Sequence, residues 1–316
     1  MEKQVVKMWN DKRYFSLDYF LKQTFGEKVY KVALDGGMTC PNRDGTLDTR
    51  GCIFCSAGGS GDFAAAHISS VTEQINRAII GVQSSKQKSQ KSLICNKFIA
   101  YFQSYTNTYA SVEYLRDLFL EAISHPLIVG LSIATRPDCL SPEILDLLES
   151  LNQIKPVWVE LGLQTIHEKT AVFIRRGYPL SIFTKAVFSL NQRNIPIITH
   201  LILGLPFETT EDVLESIHYI GTLPIQGVKL QLLHVLKGTD LADHIHEFKI
   251  LSLDEYIDLV IHCLEQLPPN IVIHRITGDG PRDLLLAPLW SMQKKHVMNE
   301  IHRNLKLRDS WQGKDW

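Results

Sequence analysis

The chain has no surplus of charge, no long apolar run and no regular cysteine framework. Its 33 basic and 34 acidic residues leave a formal net charge of -1. It is therefore not coated in positive charge, although a local basic patch stays open. No apolar stretch approaches the roughly eighteen residues that cross a bilayer, and Met1-Glu2-Lys3-Gln4 lacks the apolar run of a secretory leader. A cytoplasmic protein, with no membrane partner, is the expectation. Six cysteines at irregular spacing over 316 residues do not read as paired bridges. A reducing compartment keeps such thiolates available as ligands. Absent above all is a fourth cysteine beside Cys40, Cys52 and Cys55.

Structural metal sites normally close with four ligands, so a triad leaves one metal corner free for chemistry. The three thiols lie in Cys40-Pro41-Asn42-Arg43-Asp44-Gly45 and Gly51-Cys52-Ile53-Phe54-Cys55, after a buried strand that ends in the turn Asp35-Gly36-Gly37. Thiolates are soft ligands that select zinc or iron-sulfur clusters. A 4Fe-4S cluster with an open iron is the reading preferred; a zinc site completed by Cys95 or His67 is the alternative. Cys95, Cys139 and Cys263 stand apart and read as small buried apolar residues.

Strand-like runs alternate with amphipathic helices. The expected strands are Tyr30 to Leu34, Lys97 to Phe102, Ile128 to Ile133, Val157 to Leu161, Ile197 to Ile202 and Val228 to Leu233, with Ile271 to Ile276 as a candidate seventh. The expected helices are Val71 to Gln83, Val112 to Ser124, Pro142 to Leu151, Ile182 to Asn191, Glu211 to Ile220 and Leu253 to Leu267, opened by Ser70, Ser111, Ser141, Thr210 or Ser252. Repeated βα units with apolar strands demand a parallel sheet covered by helices. Six of them fit an α/β fold of the incomplete TIM-like (β/α)6 type, with chemistry at the C-terminal strand ends, where the cysteine loop lies. The expected division is an N-terminal extension over 1–28, a barrel over 29–236 and a helical extension over 237–316. Ser16 to Phe25 reads as a short helix, with Trp9, Tyr14, Tyr19 and Phe20 free to pack over the barrel or its mouth. The polar stretch from Ser84 to Ser92 reads as an exposed connection.

On the triad and this alternation, the chain resembles the radical S-adenosylmethionine (SAM) proteins from about Val29 to Leu236. The long gap between Cys40 and Cys52 is similar to that of the Elongator catalytic subunit. The segment Tyr101 to Tyr109 and the tail Arg275-Ile276-Thr277-Gly278-Asp279 resemble the YtqA/YhcC group, which includes a bacterial wobble-uridine enzyme. Ala134-Thr135-Arg136-Pro137-Asp138 resembles an Elongator motif in which an acid stands in place of Ala134. His200-Leu201-Ile202-Leu203-Gly204-Leu205-Pro206 matches the same subunit's fifth strand, whereas porphyrin-pathway relatives carry aspartate at the place of His200. The chain lacks the acetyltransferase half of the Elongator subunit, and no second cysteine cluster follows the barrel.

The resemblance implies one 4Fe-4S cluster on Cys40, Cys52 and Cys55, and cleavage of SAM to a 5′-deoxyadenosyl radical. It implies that Phe54 and Gly204 lie against adenine and that Gln103 and Ser104 hold the methionine amino group. Glu160 is a further cofactor candidate, while Gln164 is implied to reach the ribose and Arg176 the carboxylate. It also implies tRNA as substrate and a flavodoxin- or ferredoxin-type electron donor. Lys229, Gln231 and His234 alternate along the sixth strand and are the substrate-side candidates, with Lys237-Gly238-Thr239 after them. From Lys294 to Arg308 the pattern reads as a helix with Val297, Ile301 and Leu305 on one stripe and a basic face that either is solvated or binds RNA phosphate. A porphyrin or peptide substrate, a zinc or RNA-binding module and a redox sensor are the competing readings.

Overall fold

The computed structural model describes residues 6–59, 70–87, 96–278 and 280–316. In chain order the elements are α1 (Leu17–Phe25), β1 (Tyr30–Leu34), α2 (Val71–Gln87), β2 (Phe98–Phe102), α3 (Val112–Ser124), β3 (Ile128–Thr135), α4 (Pro142–Ile154) and β4 (Val157–Gln164). There follow α5 (Glu168–Phe173), α6 (Leu180–Gln192), β5 (Ile197–Leu203), α7 (Thr210–Gly221), β6 (Gly227–Leu232), β7 (Val235–Leu236), α8 (Asp240–Asp243), α9 (Leu253–Glu265), β8 (Val272–Arg275), β9 (Leu285–Ala287) and α10 (Lys294–Leu307). Ser111, Ser141 and Ser252 accept backbone N–H groups at the starts of their helices, as expected. On α7 the cap is Thr209 rather than Thr210, because Asp212 lies three residues on and completes a capping box.

Seven strands pair in the order β1-β2-β3-β4-β5-β6-β8, every pairing parallel. Strand β8, the candidate seventh, shows that the segment after residue 236 is not helical alone. Period-two alternation gives the sheet two faces. Phe98, Ala100 and Phe102 of β2 join the large core under the helices, while Tyr101 and Gln103 line a cavity on the other side. Strands β3 and β4 outrun their expected ends because Ala134, Gly162 and Gln164 keep this alternation without adding to an apolar run.

The inner face is curled, and one carboxylate proves it. Lys31 of β1 and Lys229 of β6 both reach Glu160 of β4. In a flat sheet β1 and β4 stand about 14 Å apart, at about 4.8 Å per strand, beyond a lysine's span. The N-terminal end of this half-barrel is plugged by Ile99, Trp158 and Ile198 under Leu21, with Leu17, Phe20 and Phe25 against them. Helix α1 therefore closes the bottom and not the mouth. The other early aromatics serve elsewhere: Trp9 stacks on Phe15, and Tyr14 meets His302 of α10. One further expectation needs revision. Ser84 to Gln87 extend α2 instead of opening a connection, and Cys95, His67 and residues 88–92 lie outside the described residues. No helix among the described residues is long and apolar enough to cross a membrane.

Helix α10 buries Val297, Ile301 and Leu305 against α9, the expected stripe. Beyond it Gln312 is fully buried and ties the chain's two ends together. Its Oε1 accepts from Phe15 N at 2.8 Å, and its Nε2 donates to Pro268 O and Ile271 O at 2.7 and 2.8 Å. Gln312→Ala would strand these backbone groups and should cost about 1–3 kcal/mol, read as a lower urea midpoint at unchanged slope. An unchanged midpoint would contradict this role for the tail.

Candidate active site

The cysteine loop is stiffened by its own polar residues. Arg43 N donates to Cys40 O at 2.8 Å, Leu47 N to Pro41 O at 2.8 Å and Gly51 N to Asn42 O at 2.7 Å, folding the long gap into compact turns. Asn42 Nδ2 donates to Arg175 O at 2.7 Å, and Ile53 N to Ile174 O at 3.2 Å, which anchors the loop to the segment after α5. Arg43 donates to Cys55 O and Ser56 O at 2.9 and 2.6 Å. Its neighbour Tyr105 lies against Gly59, where an added Cβ would clash with the ring at 2.2 Å.

Cys40, Cys52 and Cys55 line one cavity of about 390 Å³. Among the described residues the three sulfurs do not all lie within 4.8 Å of one another. Ligands of one tetrahedral zinc, at about 2.3 Å from the metal, would sit within about 4 Å. The wider spacing suits thiolates spread over separate irons. Burial, then repulsion from Cys55, pushes the Cys52 thiol up to about 12, so the cradle favours a positive group. Three soft donors beside an open cavity fit a cluster. Cys263, by contrast, is wholly buried in the core as expected, while Cys139 is half-buried.

The expected cofactor residues separate in the structure. Phe54, Gln103, Glu160, Gln164 and Arg176 line the cavity with the cysteines. Ser104 does not line it, although it is buried just beyond the end of β2. Gly204 does not line it either: its φ of +87° makes the strand-to-helix turn, and an added Cβ would meet Leu251 at 3.1 Å. Gln164 takes a left-handed φ of +64° at a bulge in β4, and its Oε1 accepts from Tyr178 Oη at 3.3 Å. Non-glycine residues held there cost about 1–3 kcal/mol and cluster at functional sites. Arg176, almost fully buried, donates to Leu163 O, Thr165 O and Tyr178 O at 3.3, 2.7 and 2.9 Å and to Glu168 at 3.2 Å. One N–H of its five is left for a ligand. Its main work in the fold is to hold the turn after β4.

Deeper in the lumen lies a group the sequence reading had not assembled. Glu160 Oε1 accepts from Lys31 at 2.6 Å and Ser132 at 2.5 Å. Its Oε2 accepts from His200 at 2.8 Å and from Lys229, which also donates to Tyr101 Oη at 3.0 Å. Four protein donors occupy both oxygens, so any part Glu160 takes in holding a ligand runs through them. Burial alone would raise this carboxyl, but Lys229, Lys31 and the His200 hydrogen bond outweigh it and hold it well below its ordinary value. Burial pushes Lys229 down to about 7 against the pull of Glu160. Burial and Lys229 push His200 down to about 4, leaving it neutral at physiological pH. Gln231 and His234 line the same cavity as Lys229, and Arg275 joins them from β8. The available signal for Lys31, Tyr101 and Arg275 was a polar residue at a lumen-facing parity within an apolar strand.

A parallel half-barrel with three thiolates and a polar lumen in one cavity defines an iron-sulfur enzyme of the radical class. The Radical SAM superfamily model matches residues 49–220, and the Radical SAM C-terminal domain model matches residues 225–307. The chain belongs to the radical SAM superfamily, whose members use a 4Fe-4S cluster and SAM. It is 44% identical over 306 residues to protein YtqA of Bacillus subtilis, covering 96% of this chain and 93% of that protein. It is 27% identical over 164 residues to a tRNA uridine(34) acetyltransferase of Methanocaldococcus jannaschii, covering 50% of this chain and 30% of the other. The solved structure of Elp3 from Methanocaldococcus infernus shares the fold with a TM-score of 0.67 at 18% identity, over 90% of this chain and 64% of that one.

Anaerobically reconstituted protein should bind about four irons per chain, and Cys52→Ala should abolish the cluster's absorbance while Cys263→Ala keeps it. Retention of the cluster in Cys52→Ala would overturn the triad. The lumen carboxylate makes a separate prediction. Because Glu160 is held below the ordinary 4.5 only when folded, its stabilisation is full above that pH and lost as pH falls through the folded value. Glu160→Gln should cost about 3–5 kcal/mol at neutral pH by leaving buried lysines unpaired, and should flatten the acid limb of the stability profile. A variant with the parent's acid limb would contradict this.

Proposed function

We propose that this radical SAM enzyme acts on the C5 side chain of the tRNA wobble uridine, trimming a carboxymethylaminomethyl group to aminomethyl: the side chain loses one hydrogen atom to the 5′-deoxyadenosyl radical and then an electron and a proton that replace the electron spent in cleaving SAM, and water splits the C–N bond of the resulting imine to leave the amine and glyoxylate. The observation that carries the reading is a single cavity joining the thiolate cradle to a polar lumen, in a chain related to proteins that act on tRNA uridine 34. When bound, the cluster and SAM supply a carbon-centred radical able to take hydrogen from an unactivated position. The chain's own residues then have distinct tasks. Cys40, Cys52 and Cys55 hold the cluster; Phe54, Gln103, Gln164 and Arg176 shape the cofactor side; Lys229, Gln231 and His234 face substrate. A flavodoxin- or ferredoxin-type protein supplies the electron, in the cytoplasm.

The basic residues of α10 support an RNA partner. Lys294, Lys295, Arg303 and Lys306 are exposed, and Lys294 and Lys295 share a groove with Arg282, next to Pro281 of the cavity wall. Each phosphate neutralised by such a cation releases counterions and makes affinity salt-dependent.

Nucleoside mass spectrometry on tRNA from a strain lacking the gene should show the carboxymethylaminomethyl form accumulating at the expense of the aminomethyl form. In parallel, reversing Lys294, Lys295, Arg303 and Lys306 to Glu should weaken tRNA binding at fixed ionic strength and leave SAM cleavage intact. An unchanged nucleoside profile would overturn the substrate, and parental tRNA affinity would move the RNA surface elsewhere.

A further inference from the structure

The cavity wall is rich in cations, and all but one have an assigned partner. Arg136 makes a two-point pair with Asp138, and Arg176 donates to Glu168 and three carbonyls. Lys229 pairs with Glu160, and Arg43 sits on the carbonyls of the cysteine loop. Arg275, at the end of β8, donates only to the neutral Gln231 Oε1, at 3.2 Å, and meets no carboxylate among the described residues. It nonetheless lines the cavity, half-buried, and its charge is felt by both Lys229 and Tyr101. Glu160 is the only carboxylate on that wall among the described residues, and its oxygens are already occupied.

A guanidinium that meets no carboxylate among the described residues in a partly desolvated lumen leaves a place for an anion. Its position narrows the choice. Arg275 is the register partner of Lys229 on β6 and bonds Gln231, among the substrate-side residues, so the anion belongs to the group presented to the cofactor and not to the cluster side. A guanidinium held in plane by Gln231 presents a fork that matches a planar carboxylate. The polymer's phosphates remain outside with the exposed cations of α10.

We propose that Arg275 is the seat for a carboxylate on the substrate's reacting side chain, with Gln231 orienting its fork. This rests on the wobble-uridine reading and narrows it: the enzyme selects the acid-bearing side chain and releases the product that lacks it.

Calorimetry on the full chain with two free nucleosides, 5-carboxymethylaminomethyluridine and its methyl ester, tests this directly. The parent should prefer the acid by about ten- to a hundredfold, the size of a charge-assisted contact. Arg275→Gln should abolish that preference, leaving ester and SAM affinities unchanged. Gln231→Glu should do the same by giving Arg275 an internal carboxylate, and Arg275→Lys should restore part of it. If both Arg275→Gln and Gln231→Glu keep the parental preference, Arg275 is not the seat and the wobble-uridine reading survives. If the parent itself shows no preference for the acid, the seat and the trimming reading fall together.

Discussion

One buried carboxylate organises this molecule's interior. Glu160 draws Lys31, Ser132, His200 and Lys229 from four different strands onto two oxygen atoms. Burying such a group among lysines is seldom a gain over a packed apolar core. Its presence implies that the lumen must be polar for another reason. Because no donor can relax without stranding a buried charge, the network fixes the curl of the sheet and the spacing of the lumen-facing side chains. The space above it is therefore a shaped cavity and not a collapsed core.

Two rigid parts meet in that cavity. The cysteine loop is held from below by Asn42 and Arg43 and from the side by Tyr105, so the thiolates do not depend on a mobile surface loop for their positions. The turn after β4 is held by Arg176 and Tyr178, which keeps Gln164 in its strained conformation with its amide against the cavity. Arg43 and Arg136 bring positive charge close to the thiolates, which offsets part of their mutual repulsion. Chemistry at the C-terminal strand ends follows from the parallel sheet, since only those ends open into the cavity.

Much of this was legible in the chain alone. The triad, the parallel βα alternation, the stripe of α10 and the caps at Ser111, Ser141 and Ser252 are local patterns with a physical cause each. The lumen network was not, because Lys31 and Glu160 are 129 residues apart and nothing local announces that their strands curl toward one another. Ser104 and Gly204 fall outside the cavity lining for the opposite reason. Each sits just past a strand end, where the path of the turn, for Gly204 one that needs a positive φ, decides whether it meets the cavity. Arg176 looked like an open fork for a carboxylate. Its carbonyl partners lie 2 to 13 residues away through a turn whose shape only the fold reveals.

On the function proposed, the cavity brings the cofactor's reactive carbon to the side chain of a tRNA wobble uridine. Its most direct test is transfer of isotope. Reconstituted protein is mixed with SAM, a reductant and tRNA carrying deuterium on the carboxymethylaminomethyl methylenes, and the released 5′-deoxyadenosine is weighed by mass spectrometry. The account predicts deuterium in 5′-deoxyadenosine, dependent on the modified uridine. Turnover of SAM with this tRNA that leaves 5′-deoxyadenosine unlabelled would contradict it.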